Sequence, residues 1–257
     1  MKKTKYILLL TLSAFSFFIT DKVLIFIDEQ KPLMKEIKLN ASKYETLPVN
    51  SVIENNTIIP GLNGKVVNYK KSLVKMEDFN AFNENFLQFN VVSPEVSLEN
   101  NKDKIIIKGN FKKRSVSLVL DEDKEKEEYL DNNKIEYDLL STIETDFTKK
   151  REYLNSYKDK ENYDALETIL KKHKINSRIC TTLHNDYDYC LKKEHYIVLL
   201  TNDNLMINEK INKISSGDII YIPKNMKLVN LKLIISEIER QDLKIGYLST
   251  LISEKIW

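Results

Sequence analysis

Histidine is nearly missing from this chain: His173, His184 and His195 are all it has in 257 residues. No two of them lie three or four positions apart, so no helix turn or tight loop presents a local pair to a metal. Glycine and proline are scarce, five each, which excludes low-complexity linkers and collagen-like sequence. No repeat runs at the periods of solenoids. Charge of one sign is not in excess either. Forty basic and 38 acidic residues leave a net charge of +2, too little to give a global field for nucleic acid, so no nucleic-acid partner is expected. Against these absences stand a 42% hydrophobic content, ample for a packed core, and 30% charged residues, ordinary for a surface. The length allows one large domain, or a small one and a larger one.

The N-terminus carries an address. Lys2, Lys3 and Lys5 precede an apolar stretch from Tyr6 to Thr20. Asp21-Lys22 interrupts it and Val23-Leu24-Ile25-Phe26-Ile27 resumes it. A basic flank before an apolar run is an export signature, and positive-inside logic leaves the lysines in the cytoplasm. A spanning helix needs about 20 residues, which residues 6–27 reach when Asp21-Lys22 lies near the outer interface. The expectation is an uncleaved signal-anchor over residues 1–27, single-pass through the cell membrane by residues 6–27, with the rest outside the cytoplasm. A cleaved secretion signal and a buried helix are the alternatives.

Cys180 and Cys190 are ten positions apart and can close a small loop. Such a bridge contributes roughly 2–3 kcal/mol by restricting the unfolded chain. Two free buried thiols are the plainer alternative. A metal site over Cys180, His184 and Cys190 lacks CxxC spacing and a fourth ligand.

Residues 28–112 read as a stalk followed by a small mixed α/β region. Asp28 to Glu45 is polar and partly helical, with Leu33, Met34, Ile37 and Leu39 loosely on one side. Ile59-Pro60-Gly61-Leu62-Asn63-Gly64 makes a turn-rich β segment, and Ile105-Ile106-Ile107 a strand. From residue 113 a βα rhythm begins. Val116-Ser117-Leu118-Val119-Leu120 is a strand that ends in Asp121-Glu122-Asp123, an acidic run suited to the N-terminus of a helix over Lys124 to Leu130. Ile135 to Leu140 is the next strand. Helices are expected over Phe147 to Tyr157 and Tyr163 to His173, strands over Ser177 to Thr182, Tyr196 to Leu200 and Ile219 to Ile222. Leu228 to Ile238 places Leu231, Ile234, Ile235 and Ile238 on one helical face. Leu243 to Leu248 returns as a strand and Ser249 to Glu254 as a short helix. Strands alternating with helices imply a mainly parallel sheet.

These residues carry a resemblance. The stretch Ser115 to Asp123 resembles the first motif of the polysaccharide deacetylase (NodB-homology) family. In that family a strand ends in Thr-Phe-Asp-Asp, the first Asp a base and the second a metal ligand. Val119-Leu120-Asp121-Glu122 takes that place here. Gly217-Asp218-Ile219-Ile220, a helix, and Leu248-Ser249-Thr250-Leu251 are similar to the family's closing pattern, in order and spacing. Ile59-Pro60-Gly61-Leu62-Asn63-Gly64-Lys65 resembles the extension of its membrane-anchored Gram-positive members. The resemblance covers residues 113–257. It implies an α/β fold: a shortened, distorted (β/α) barrel with a small N-terminal mixed region. At about 145 residues the domain is well under the roughly 250 of a full (β/α)8 barrel.

The departures bear on function. The family's metal is held by the second Asp and by two histidines of a His-x3-His or His-x4-His motif, yet no histidine lies between Glu122 and His173. The place of its catalytic histidine is taken by Pro223, and its Arg-x-Pro-Tyr motif survives as a trace in Ser177-Arg178-Ile179-Cys180. Amide hydrolysis by this route needs a divalent ion to polarise the carbonyl and activate water. General-base catalysis alone supplies about 10²–10⁴-fold. Asp121 is then a vestigial base, Glu122 a vestigial metal ligand, and the run Asp121-Glu122-Asp123 a helix cap. No cofactor is expected. A zinc-type divalent metal belongs only to the alternative of an active N-deacetylase, to which His184, in His184-Asn185-Asp186-Tyr187-Asp188, is the candidate further ligand; a polar surface loop is the plainer reading of that segment. His173, in a lysine-rich helix end, and His195, before a strand, are not catalytic candidates. The expectation is a deacetylase-like domain outside the cytoplasm, inactive, that binds cell-wall glycan or a protein partner in the former substrate groove, with some of the 13 tyrosines stacking on sugar rings. A structural protein of envelope assembly is a third class.

Overall fold

A computed structural model describes residues 22–183, 187–201 and 213–255. The chain divides into two compact units. One comprises the described residues up to Pro48 with Gly64–Val92, the other Val49–Asn63 with the residues from Ser93 onward. The boundary expected at 112/113 therefore falls inside the second unit.

The first unit is built on two helices and a hairpin. The helix Pro32–Ala41 opens with a proline in its first turn, where the missing N–H costs nothing. Leu33, Met34, Ile37 and Ala41, spaced by helical turns, are buried with Leu73 and Met76 of the helix Tyr69–Glu77. Asn68 caps that second helix by accepting from Lys71 N. The expected stalk is thus part of a core, and Leu39, expected inward, is 79% exposed because the 3.6-residue period turns it away from Ile37. Residues 22–30 are helical, with Val23 to Ile27 exposed. The single-pass membrane anchor expected through residues 6–27 is corrected: among the described residues no helix is long and apolar enough to cross a membrane. On the described side the apolar run is Val23 to Ile27, bounded by Lys22 and Asp28, far short of about 20 residues. Residues 6–21 of that segment lie outside the described residues.

In chain order the strands are β1 (Val52–Glu54), β2 (Thr57–Ile59), β3 (Gly64–Val67), β4 (Phe89–Val92), β5 (Ile105–Ile106), β6 (Ser115–Asp121), β7 (Asp138–Leu140), β8 (Glu152–Ser156), β9 (Ile179–Thr182), β10 (Tyr196–Leu199), β11 (Ile219–Ile222) and β12 (Lys244–Ile245). β3 and β4 pair in the first unit. The second unit holds one sheet in the order β1-β2-β5-β10-β9-β8-β7-β6-β11, with β12 beside the start of β6. Every neighbouring pair is parallel except β1–β2. The sheet curls into a half-barrel, which is the shortened α/β barrel expected. β6 shows why the run was so apolar: Val116, Leu118 and Leu120 pack with Leu231, Ile234, Ile235 and Ile238 of the helix Leu228–Arg240, while Val119 packs with Leu140, Leu154, Val198 and Tyr221. A strand buried on both faces reads as a continuous apolar run.

One expected helix is a strand. Phe147 to Tyr157 contains β8, whose Tyr153 and Leu154 go to opposite clusters as β7 and β9 pair with it on either side. The motif glycines are structural. A Cβ on Gly61 would lie 2.2 Å from the Val49 carbonyl oxygen, and Gly217 holds φ +93°. Glu254 ties the segment around Gly61 to the sheet, its Oε1 accepting from Ser51 Oγ, Gly61 N and Leu98 N at 3.0, 3.3 and 2.8 Å. Cys180 and Cys190 are bonded to each other, their Cα atoms 6.1 Å apart.

Candidate functional site

The C-terminal ends of β6 and β11 meet at Asp121. Its Oδ2 accepts from the Tyr221 hydroxyl at 2.7 Å and from the Lys224 backbone N at 3.1 Å. Parallel pairing of Tyr221 with Val119 brings the phenol to the strand end. Burial, then the Asp121 carboxylate, pushes the Tyr221 hydroxyl well above its ordinary range, so it stays a donor. Pro223 begins the turn after β11 and accepts from Met226 N.

Glu122 faces a different loop. Its Oε2 accepts from Thr142 Oγ1 at 3.1 Å and its Oε1 from Thr145 Oγ1. Thr142 N in turn donates to Thr145 Oγ1 at 2.6 Å. Both carboxylate oxygens are thus engaged by hydroxyls. Asp123 caps the helix Lys124–Asn132: its side chain accepts from Lys126 N at 3.1 Å and pairs with the Lys126 ammonium at 2.5 Å. Burial alone would raise the Asp123 carboxyl, but the Lys126 contacts outweigh it and hold it below the ordinary range. Lys126, 2% exposed, also donates to the Lys224 carbonyl at 2.9 Å. The Lys224 turn is therefore fastened by its N–H to Asp121 and by its C=O to Lys126.

Beside Glu122 lies a groove of about 1110 Å³. Its walls carry eight carboxylates, among them Glu122, Glu125, Glu128 and Glu144, and three lysines. The sequence pointed to Asp121, Glu122 and Asp123. It did not point to Tyr221, Thr142 or Thr145, which arrive from 100, 20 and 23 residues away. Lys126 had a local signal, an Asp-x-x-Lys spacing at a helix start.

The donor set does not fit a catalytic zinc, which takes three protein ligands from His, Cys, Asp or Glu. Glu122 meets two threonine hydroxyls and no imidazole. Among the described residues no group of three or more such side chains is placed to hold a metal ion. His184 lies outside the described residues. His173 stacks on Phe147, ring centres 4.8 Å apart, and the His195 Nδ1 is 2.6 Å from the Tyr163 hydroxyl, with burial lowering the His195 imidazole from its ordinary value. Neither contacts Asp121 or Glu122.

This architecture has solved counterparts. The wild-type BA3943 structure, described as a CE4 family pseudoenzyme from Bacillus anthracis, superposes with a TM-score of 0.60 and 18% identity over 89% of this chain and 97% of that one. A BA3943 mutant described as having restored enzymatic activity gives 0.59 and 18% over 88% and 99%. The fold is therefore that of CE4 family polysaccharide deacetylases, the family whose motifs Asp121 and Gly217-Asp218 resemble. In sequence, the chain is 37% identical over 90 residues to the uncharacterized protein YlxY of Bacillus subtilis (strain 168), a match that takes in 35% of this chain and 28% of that relative. No protein-family model matches the chain.

Proposed function

We propose that this protein is a catalytically inactive deacetylase-like domain that uses the groove beside Glu122 to bind cell-wall glycan. One observation carries the reading: the carboxylate in the place the resemblance gives to a metal ligand meets two threonine hydroxyls, Thr142 and Thr145, and no imidazole. Its neighbour Asp121 is held by Tyr221 and Lys224. A carboxylate pair committed to hydroxyls and amides does not assemble a Lewis acid, and without one the nucleophile is ordinary water. The likeness in fold to BA3943, described as a pseudoenzyme, supports the same reading. The groove's size and polar walls suit a hydrated polymer better than an apolar ligand.

Titration calorimetry of the full chain with an acetylated chito-oligosaccharide, alongside an assay for released acetate, tests this. Binding without acetate release is expected. Acetate release under the same conditions would establish the other reading, an active divergent N-deacetylase. Absence of binding would remove the glycan from the account.

A further inference from the structure

Asp138 and Glu152 are the first residues of β7 and β8 and lie side by side in register. Asp138 is fully buried. Leu248 N donates to both its oxygens at 3.0 Å, and Ser117 Oγ from β6 donates to Oδ2 at 2.5 Å. Glu152 hydrogen-bonds Asp138 and accepts from Ser249 N at 3.0 Å. The two carboxyls together therefore hold the first two amides of the helix Leu248–Ile252. That helix packs against β6 and helps wall a cavity of about 360 Å³, also lined by Glu152, Leu98, Ile179 and Tyr196.

We infer that the Asp138–Glu152 pair is a proton-dependent latch on the helix Leu248–Ile252. With Asp138 fully buried and a second carboxyl beside it, ionising Asp138 sets like charges side by side out of water, so Asp138 keeps its proton and shares it with its neighbour. Burial first, then the Glu152 contact, pushes the Asp138 carboxyl up, in agreement with that geometry. The Ser117 and Leu248 hydrogen bonds favour the ionised form of Asp138, but burial and the Glu152 contact outweigh them, and among the described residues no facing cation neutralises the pair. Glu136 and Tyr247 add no positive charge, and the Arg151 guanidinium is held by Glu127 and Asp131 at 2.5 and 3.0 Å. Lys113 serves the far end of the helix, donating to the Thr250 carbonyl at 2.5 Å and to the Ser253 carbonyl. Arg178 lines the same cavity as Glu152 but is exposed to solvent. When base removes the shared proton to water, like charges face each other. Glu152, the less buried partner, swings toward the cavity, the Ser249 N–H loses its acceptor, and the helix loosens.

The sign follows from linkage. A carboxyl raised in the fold contributes stability that is complete below about pH 4, its unfolded value, and is lost as pH rises through the raised value. Hydrogen-exchange mass spectrometry on the full chain, following a peptide over residues 246–253, reads this directly. Corrected for intrinsic exchange, protection of that peptide should fall at least about tenfold as pH is raised from about 4 through the alkaline range in which the chain stays folded. Asp138→Asn keeps the acceptor for Leu248 N and donates to Glu152, so it should hold protection constant over that range. Glu152→Gln should do the same and serves if the first variant does not fold. Constant protection in the natural chain, or an unchanged fall in either variant, would overturn the latch.

Discussion

The Tyr221 hydroxyl donates to Asp121 Oδ2 across 2.7 Å, joining the ends of two neighbouring parallel strands. Asp121, partly buried, also accepts from the Lys224 backbone N in the turn that follows the second strand. Tyr221→Phe removes the donor and leaves Lys224 N as the remaining partner of Oδ2. A loss of about 1–3 kcal/mol follows from a part-buried carboxylate missing one hydrogen bond. Urea unfolding should show a lower midpoint with an unchanged slope.

The Glu122 clasp makes a separate prediction. Thr142→Val with Thr145→Val removes both hydroxyl donors while keeping side-chain shape. Stability should drop by about 1–3 kcal/mol, with faster hydrogen exchange in the loop 141–151. Freed of its hydroxyls, Glu122 is still one carboxylate. Added zinc should therefore leave the melting temperature of the double variant unmoved, whereas a cation that binds the folded state would raise it.

Lys126 offers a test by acid. Its ammonium, nearly fully buried, faces Asp123 at 2.5 Å. Lys126→Met leaves Asp123 without its cation and should cost about 3 kcal/mol, the lower end for breaking a buried pair, because Asp123 keeps some exposure. The Asp123 carboxyl is lowered in the fold. Its contribution is present above about pH 4 and is lost as pH falls through the lowered value. A pH series of unfolding midpoints should show this acid limb in the natural chain and a shallower one in the variant.

The bond between Cys180 and Cys190 ties β9 to the middle of the short helix Asp188–Lys192. Replacing both by serine should cost about 2–4 kcal/mol, through the unfolded chain's regained freedom and two polar atoms left in an apolar cluster with Tyr163 and Ile197. Thermal unfolding of the double variant checks it, and added reductant should bring the natural chain toward the same value.

How much of this was legible in the sequence depended on range. β6 was readable because apolar residues fill both its faces. The helix over Lys160–Lys172 was readable because Leu166 and Leu170 recur at helical spacing. β8 was not: Arg151-Glu152-Tyr153-Leu154-Asn155 has no breaker, and only pairing with β7 and β9 decides it as a strand, a case of tertiary context overriding local preference. The same holds at the site. Asp121 and Glu122 stand at a strand end that the alternation marks. Their partners come from β11 and from the loop after β7, and no local spacing records those meetings. The leading apolar run misled in another way. Hydropathy counts residues 6–27 as one stretch, but its described part is five apolar residues between charges. Nothing in the run's composition signalled that the segment just after it, Pro32–Ala41, turns its apolar side into a core.

The proposed inactivity requires that the carboxylates around Glu122 hold no cation. The most direct measurement incubates the purified full chain with zinc, cobalt or manganese, determines bound metal after desalting, and follows acetate release from acetylated chito-oligosaccharide with and without chelator. Substoichiometric metal and no acetate above the buffer rate are expected. One equivalent of retained metal, with turnover abolished by chelation, would contradict it.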